Sequence, residues 1–327
     1  MENLQLSFAS GRYDRFEALH NGAVTIDGIA LDHIELWPPR VIFDRMAGEL
    51  EFDVAEFSCS EYICLIDQGA CPFVALPVFP SRVFRHGFIC VNRNGGIEQP
   101  GDLAAKRIGV PLYTQTAAIW ARGLLENDHG VDLSTIDWVQ GAVMKAGAHG
   151  SPFASPMRRP PTRLEINDGD RSLAELLVEG EIDAILGTFV DDAVRANPEL
   201  VRLFPDYRTV ERDYFQSTGI FPMMHLVVIR DNVYEANPWI AERLFDAFEA
   251  ARDWARAELR ASNAQRYMLP WLLDDLDEID AVFGGDAWEY GLEPNRAAME
   301  TLVRYMHQQG FIEDEIPVDD LFVGVGG

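Results

Sequence analysis

Between Met46 and Asn92 the only basic side chains are Arg82, Arg85 and His86. All three fall within five residues, in the run Pro80-Ser81-Arg82-Val83-Phe84-Arg85-His86. Arginine presents a rigid planar fork that suits carboxylates, and histidine can move a proton near neutral pH. The chain carries a formal net charge of -26, so an anionic ligand needs a local positive site of this kind. Pairing with surface acids on a hairpin loop accounts for the same residues without chemistry.

Other segments place reactive types where open α/β sheets bind ligands. The stretch 112–116 runs from an apolar strand into a helix start, where free backbone N–H groups and the positive end of the helix favour an anion. Tyr113, Thr114, Gln115 and Thr116 add side-chain donors there; capping by Thr114 or Thr116 is the structural alternative. His225 enters an apolar strand after Thr218-Gly219-Ile220-Phe221-Pro222-Met223-Met224; a lone histidine in that setting is more often a satisfied core residue than a catalyst. Glu56, Ser58, Ser60 and Glu61 follow a short strand, and Ser10, Arg12 and Tyr13 follow the first one. Strand ends are the binding edge of such sheets, although the serines also serve as caps. Glu56, His86 and His225 would form a divalent-metal set if the fold brought them together.

The elements that must position these residues alternate. Residues 4–9 read as a first strand, 13–21 as a helix, 34–37 as a strand and 39–48 as a helix. A strand follows at 53–57 and a helix at 58–68, with Ser58 available as N-cap. Apolar strands at 73–78 and 87–91 flank the Arg/His run, which reads as a turn-like break. A second alternating unit begins near residue 99, with strands at 107–110, 136–139 and 184–186 and helices at 117–127 and 173–179. Four prolines and two arginines in 151–162 make that segment an irregular loop. A strand at 221–229 precedes helices at 239–260, 271–283 and 295–309. This rhythm predicts α/β architecture with mainly parallel sheets.

At 327 residues with 48% hydrophobic content, the chain has room for about two domains with real cores. Its acidity argues against nucleic acid or an anionic membrane as partner. The first residues show neither a basic nor an apolar signal region, and no apolar run reaches the length of a membrane span, so a cytoplasmic protein is expected. Cys59, Cys64, Cys71 and Cys90 fit neither a zinc ribbon nor a disulfide framework. No dinucleotide fingerprint, P-loop, nucleophile elbow or His-Glu-x-x-His motif is present.

The chain resembles the 4,5-dihydroxyphthalate decarboxylase family. The resemblance rests on Tyr13-Asp14-Arg15, Glu51-Phe52-Asp53-Val54, Pro80-Ser81-Arg82-Val83-Phe84-Arg85-His86, Arg107-Ile108-Gly109-Val110-Pro111, Trp120-Ala121-Arg122-Gly123-Leu124-Leu125, Gly180-Glu181-Ile182-Asp183-Ala184, Thr218-Gly219-Ile220-Phe221-Pro222-Met223-Met224-His225 and Tyr290-Gly291-Leu292-Glu293-Pro294-Asn295-Arg296. These segments run in order over nearly the whole length, and the third and seventh are the specific ones.

The resemblance implies a two-lobed, type II periplasmic-binding-protein-like fold with the ligand in a cleft between lobes. One lobe would comprise 1–92 and 220–327 and the other 93–219, with crossovers near 91–94 and 218–221. It implies a carboxy-lyase: non-oxidative decarboxylation of a hydroxylated aromatic acid by protonation at the carboxylate-bearing carbon and loss of CO2. His86 and His225 are then the catalytic candidates. Arg82, Arg85, Tyr113, Thr114, Thr116, Arg12, Ser58 and Thr188 are the substrate-binding ones. No organic cofactor is required, and a divalent metal near His86 and His225 stays open, as does self-association. The partner expected is a small anionic aromatic substrate. Near Thr188 the family pattern has a Pro-Arg pair, where this chain reads Gly187-Thr188-Phe189-Val190-Asp191-Asp192; the substrate therefore need not be 4,5-dihydroxyphthalate. The rival expectation is a transporter-type solute-binding protein that holds a small anionic aromatic ligand and leaves it intact.

Overall fold

The computed structural model describes residues 3–150, 157–187, 197–261 and 265–325. Its contacts divide the chain into two compact units. The first is Met1–Arg82, Phe215–Glu300 and Ile316–Gly327; the second is Val83–Tyr214 and Thr301–Glu315. The sequence reading placed 83–92 and 301–315 with the first unit. Strand pairing moves the former: Ile89–Asn92 hydrogen-bonds only to strands of the second sheet.

In the first unit, strands β1 (Leu4–Ser10), β2 (Ile29–Glu35), β3 (Val54–Ser58), β4 (Phe73–Arg82) and β11 (Met223–Arg230) form a sheet in the order β2-β1-β3-β11-β4. β1 runs parallel to β2 and β3, while β11 is antiparallel to both its neighbours. Four strands thus share one direction and β11 alone is reversed. The strand expected at 34–37 lies earlier, because 29–35 pairs in register with β1 from Leu4↔Ile29 to Ser10↔Glu35. Helices α1 (Asp14–His20), α2 (Pro39–Glu49) and α3 (Cys59–Asp67) alternate with these strands.

The core of this unit explains why the late helices belong with the early strands. Helix α8 (Ile240–Arg260) turns Ile240, Leu244, Phe245 and Phe248 inward at helical spacing. They pack with Leu6 and Phe8 of β1 and Phe16 of α1 in one buried cluster. Phe8, Phe16 and Phe248 meet ring to ring at 5.1–5.3 Å. Burial of each such ring contributes about 1.5–3 kcal/mol.

In the second unit, β5 (Ile89–Asn92), β6 (Arg107–Val110), β7 (Asp137–Gln140), β8 (Leu164–Ile166), β9 (Ala184–Leu186) and β10 (Leu200–Arg202) pair in the order β10-β5-β9-β6-β7-β8. The pairs among β9, β6, β7 and β8 are parallel and both pairs of β5 are antiparallel, so again one strand is reversed. Helices α4 (Thr116–His129), α5 (Leu173–Val178) and α6 (Tyr207–Thr218) follow their strands. α7 (Asp231–Ala236), α9 (Leu272–Phe283) and α10 (Arg296–Gln308) complete the helices used below. No helix among the described residues is long and apolar enough to cross a membrane.

Candidate active site

Glu56 sits in the middle of β3, whose five residues are all buried. A carboxylate in such a strand needs donors, and the topology supplies three. β1 ends at Ser10 alongside β3, and the next residue, Gly11, gives its N–H to Glu56 Oε2 at 2.8 Å. The Tyr13 hydroxyl donates to Oε1 at 2.7 Å. His225 Nδ1 lies 2.5 Å from the same oxygen. The β3–β11 register places Val227 opposite Glu56 and His225 opposite Ser58. Glu56 and His225 are therefore diagonal neighbours on one sheet face, within reach of long side chains. The β4–β11 ladder is irregular on both sides of His225, the kind of local break that re-aims a side chain.

Burial alone would raise the Glu56 carboxyl. The charge and hydrogen bond of His225, with those of Tyr13 and Gly11, outweigh it and hold the group below the usual carboxylate range. Burial, then the Glu56 charge, pushes the Tyr13 phenol well above its ordinary value, so it keeps the proton it donates. With Nδ1 engaged by a carboxylate, the proton on His225 is fixed there, and Nε2 is the end left to exchange protons. The Phe43 ring of α2 meets the imidazole edge to face at 4.8 Å.

Arg82 ends β4 in the same unit, buried. Its Nη2 donates to Asn295 Oδ1 at 2.5 Å and to the Glu289 carbonyl at 3.0 Å. Both acceptors are neutral, and Nε has no hydrogen-bond partner. Burial lowers the guanidinium's hold on its proton, yet it stays charged at neutral pH. The Arg15 guanidinium lies over two rings, its central carbon 4.2 Å from the centres of both Tyr13 and Trp288. Its Nε donates to the Pro80 carbonyl at 2.7 Å and its Nη1 to Asp14 at 3.0 Å.

The Arg82-Arg85-His86 run is divided between the two units. Arg82 belongs to the first unit, and Arg85 and His86 to the second. The reason is local: β4 ends at Arg82, and His86–Phe88 is a short 3-10 turn leading into β5. Arg85 is buried there with Nε and Nη1 unbonded and Phe88 beneath it at 5.4 Å. His86 is buried against Phe204 and Tyr214 at 5.4 and 5.2 Å. Glu211 Oε1 lies 3.9 Å from His86 Nδ1, too far for a hydrogen bond, and instead accepts the Gly87 N–H at 3.0 Å. Burial, with the nearby His129, pushes His86 down to about 4, so it is neutral at pH 7.

The remaining expectations divide. Arg12 is 84% exposed and pairs with Glu35 at 3.0 Å. Ser58 caps α3 by accepting the Glu61 N–H. Tyr113 is buried: Gln140 accepts its N–H at 2.7 Å, and its ring stacks on the guanidinium of Arg122 at 3.8 Å. Thr114 and Thr116 are buried at the start of α4, whose N-cap is Gln115. Thr188 lies outside the described residues. Among the described residues no group of three or more His, Cys, Asp or Glu is arranged to hold a metal ion, and His225 already engages Glu56 through Nδ1.

Tyr13 was visible in the sequence as a strand-end residue without a stated role, Glu56 as a strand-end residue and candidate metal ligand, and Arg15 carried no site expectation. The signal for Glu56 is its charge inside the otherwise uncharged strand Val-Ala-Glu-Phe-Ser, since a fully buried acid is rare unless paired.

No protein-family model matches the chain. Two curated proteins do, both named 4,5-dihydroxyphthalate decarboxylase. One, from Comamonas testosteroni, is 33% identical over 331 residues, covering 98% of this chain and 97% of its own. The other, from Pseudomonas putida, is 35% identical over 221 residues, covering 66% and 83%. Similar solved structures include the periplasmic sulfonate-binding protein SsuA of Methylobacillus flagellatus, with TM-score 0.54, 14% identity and coverage of 99% of this chain and 92% of that one. The periplasmic aliphatic sulphonate-binding protein SsuA of Escherichia coli gives TM-score 0.54 and 12% identity at the same coverage. These likenesses establish a periplasmic-binding-protein-like fold.

Proposed function

The chain belongs to the 4,5-dihydroxyphthalate decarboxylase family, and from that premise we propose that it is a carboxy-lyase acting on a hydroxylated aromatic carboxylic acid, with His225 as the proton carrier. The observation that carries the assignment is the Glu56–His225 pair: a buried carboxylate fixes one imidazole nitrogen and leaves the other for the substrate. Electron release from a ring hydroxyl, stronger as phenolate, raises the proton affinity of the carbon bearing the carboxylate. His225 Nε2–H gives its proton to that carbon. The C–C bond to the carboxylate then breaks, its electron pair returns to the ring, and neutral CO2 leaves. Glu56 stabilises the imidazolium before transfer and holds the neutral ring in place after it.

Arg82 supplies positive charge for a substrate carboxylate. Its hydrogen bonds go to neutral acceptors, so the buried charge has no carboxylate bonded to it among the described residues. Arg85 is proposed as a carboxylate-binding residue on the same ground. His86, held neutral at pH 7 by burial, has no imidazolium proton to give there. The scheme uses no organic cofactor and routes no step through a metal.

The test is incubation of the purified protein with hydroxyphthalates, reading CO2 and the decarboxylated phenol by mass spectrometry. Turnover is expected, and His225→Gln is expected to lose at least about 100-fold of it. Ligand-dependent thermal stabilisation with the ligand recovered intact would establish a solute binder and overturn the proposal. Turnover that survives in His225→Gln would overturn the choice of acid.

A further inference from the structure

We propose that Tyr13 is a positioning residue of this site, holding Glu56 so that His225 stays aligned when it delivers its proton; the proposal rests on the reading of His225 given above. Tyr13 and His225 share one oxygen of Glu56, at 2.7 and 2.5 Å, while Gly11 takes the other. With both oxygens held from different directions, the carboxylate has no room to rotate about its last bond. Tyr13 is itself fixed from outside. The Arg15 guanidinium lies over its ring and over the Trp288 ring, and the Pro80 carbonyl accepts its Nε–H. Trp288, Arg15, Tyr13, Glu56 and His225 thus form a continuous chain of contacts from the start of α1, β3, β11 and the segment before α10. Tyr13 touches Glu56 and not the reacting carbon in this scheme, so its effect passes through the carboxylate.

The groups facing Glu56 are His225 from β11, Tyr13 and the Gly11 N–H from the end of β1, and Cys59 from the start of α3. Burial pushes the Cys59 thiol far up, so it stays neutral. Of the remaining influences, the Tyr13 hydrogen bond is one that favours the charged carboxylate. Removing the hydroxyl therefore lets Glu56 take up a proton at higher pH.

The experiment is the pH profile of kcat and KM for Tyr13→Phe, beside infrared titration of the Glu56 carboxyl, identified by the band that Glu56→Gln lacks. The acid limb of kcat is expected to move up by about one pH unit, with kcat lowered about tenfold and KM within about twofold. The infrared titration should move by the same amount. An unmoved acid limb together with an unmoved carboxyl titration would overturn the proposal and leave the role of His225 standing. If His225→Gln retains turnover, the reading of the acid fails, while the infrared shift still decides whether Tyr13 holds Glu56. Should Tyr13→Phe not fold, Trp288→Leu removes only the outer ring of the stack and is expected to give a smaller shift of the same sign. No shift in that variant counts against the proposal.

Discussion

Replacing Glu56 by Gln preserves shape and removes the charge on which the site depends. Three donors converge on this side chain: Tyr13 Oη–H and His225 Nδ1–H on one oxygen, Gly11 N–H on the other. A glutamine amide has one acceptor oxygen and one donor nitrogen. If the oxygen faces Tyr13 and His225, the amide N–H groups oppose the Gly11 N–H and strand it. In the opposite orientation two partners lose their acceptor. The milder arrangement leaves one buried donor unsatisfied, about 1–3 kcal/mol, and weakens two bonds that were charge-assisted. A loss of about 2–4 kcal/mol in stability follows, partly offset because a charge no longer has to be buried. Catalysis suffers separately. The ring loses the charge-assisted partner that orients it and stabilises it during proton transfer, about 1.4–4 kcal/mol of the barrier. Turnover at neutral pH should fall about 10- to 1000-fold, with KM changed far less because Glu56 does not touch the substrate in this scheme. Steady-state CO2 release with urea melts of both proteins separates the two effects. A folded Glu56→Gln enzyme within twofold of wild-type turnover would refute the reasoning.

Two further outcomes follow from the same structure. Arg85→Met removes a buried cation with two unbonded nitrogens, so thermal stability should hold or rise, whereas KM for an anionic substrate should increase at least about tenfold; a lowered melting temperature with unchanged KM would mark Arg85 as structural. Acidification should destabilise the protein between about pH 6.5 and 4, because His86 is held near 4 in the fold and the unfolded chain binds that proton first. The size is at most about 3 kcal/mol, and His33, also lowered to about 4 by burial, adds in the same direction. His86→Leu should flatten this slope in urea titrations at stepped pH. Glu56 acts in a separate window: its folded value lies below 4.5, so its contribution is present above that pH and lost as pH falls further.

The architecture and most of the elements were legible in local pattern. Alternating apolar runs and amphipathic helices are local signals, because burial of a face follows the period of 2 or 3.6 residues. The strand at 107–110 was legible to the residue, and the helix read at 271–283 begins one residue later and ends at Phe283. Ordered family motifs across the chain gave the fold and the decarboxylase reading; similar solved structures support the first and the curated relatives the second. The extent of β2 was not legible, since residues 29–35 become a strand through pairing with β1 rather than through their own pattern.

The site required tertiary structure for the same reason. Spacing in sequence made Arg82, Arg85 and His86 one cluster, but a strand ends between them and the contacts sort them into different units. Nothing local joins Tyr13, Glu56 and His225, which lie 43 and 169 positions apart. Only the antiparallel entry of β11 beside β3, with β1 on the other side, places a histidine, a carboxylate and a phenol within hydrogen-bonding distance. Residue types set which proton chemistry was available, and strand order decided which of those residues could share a proton.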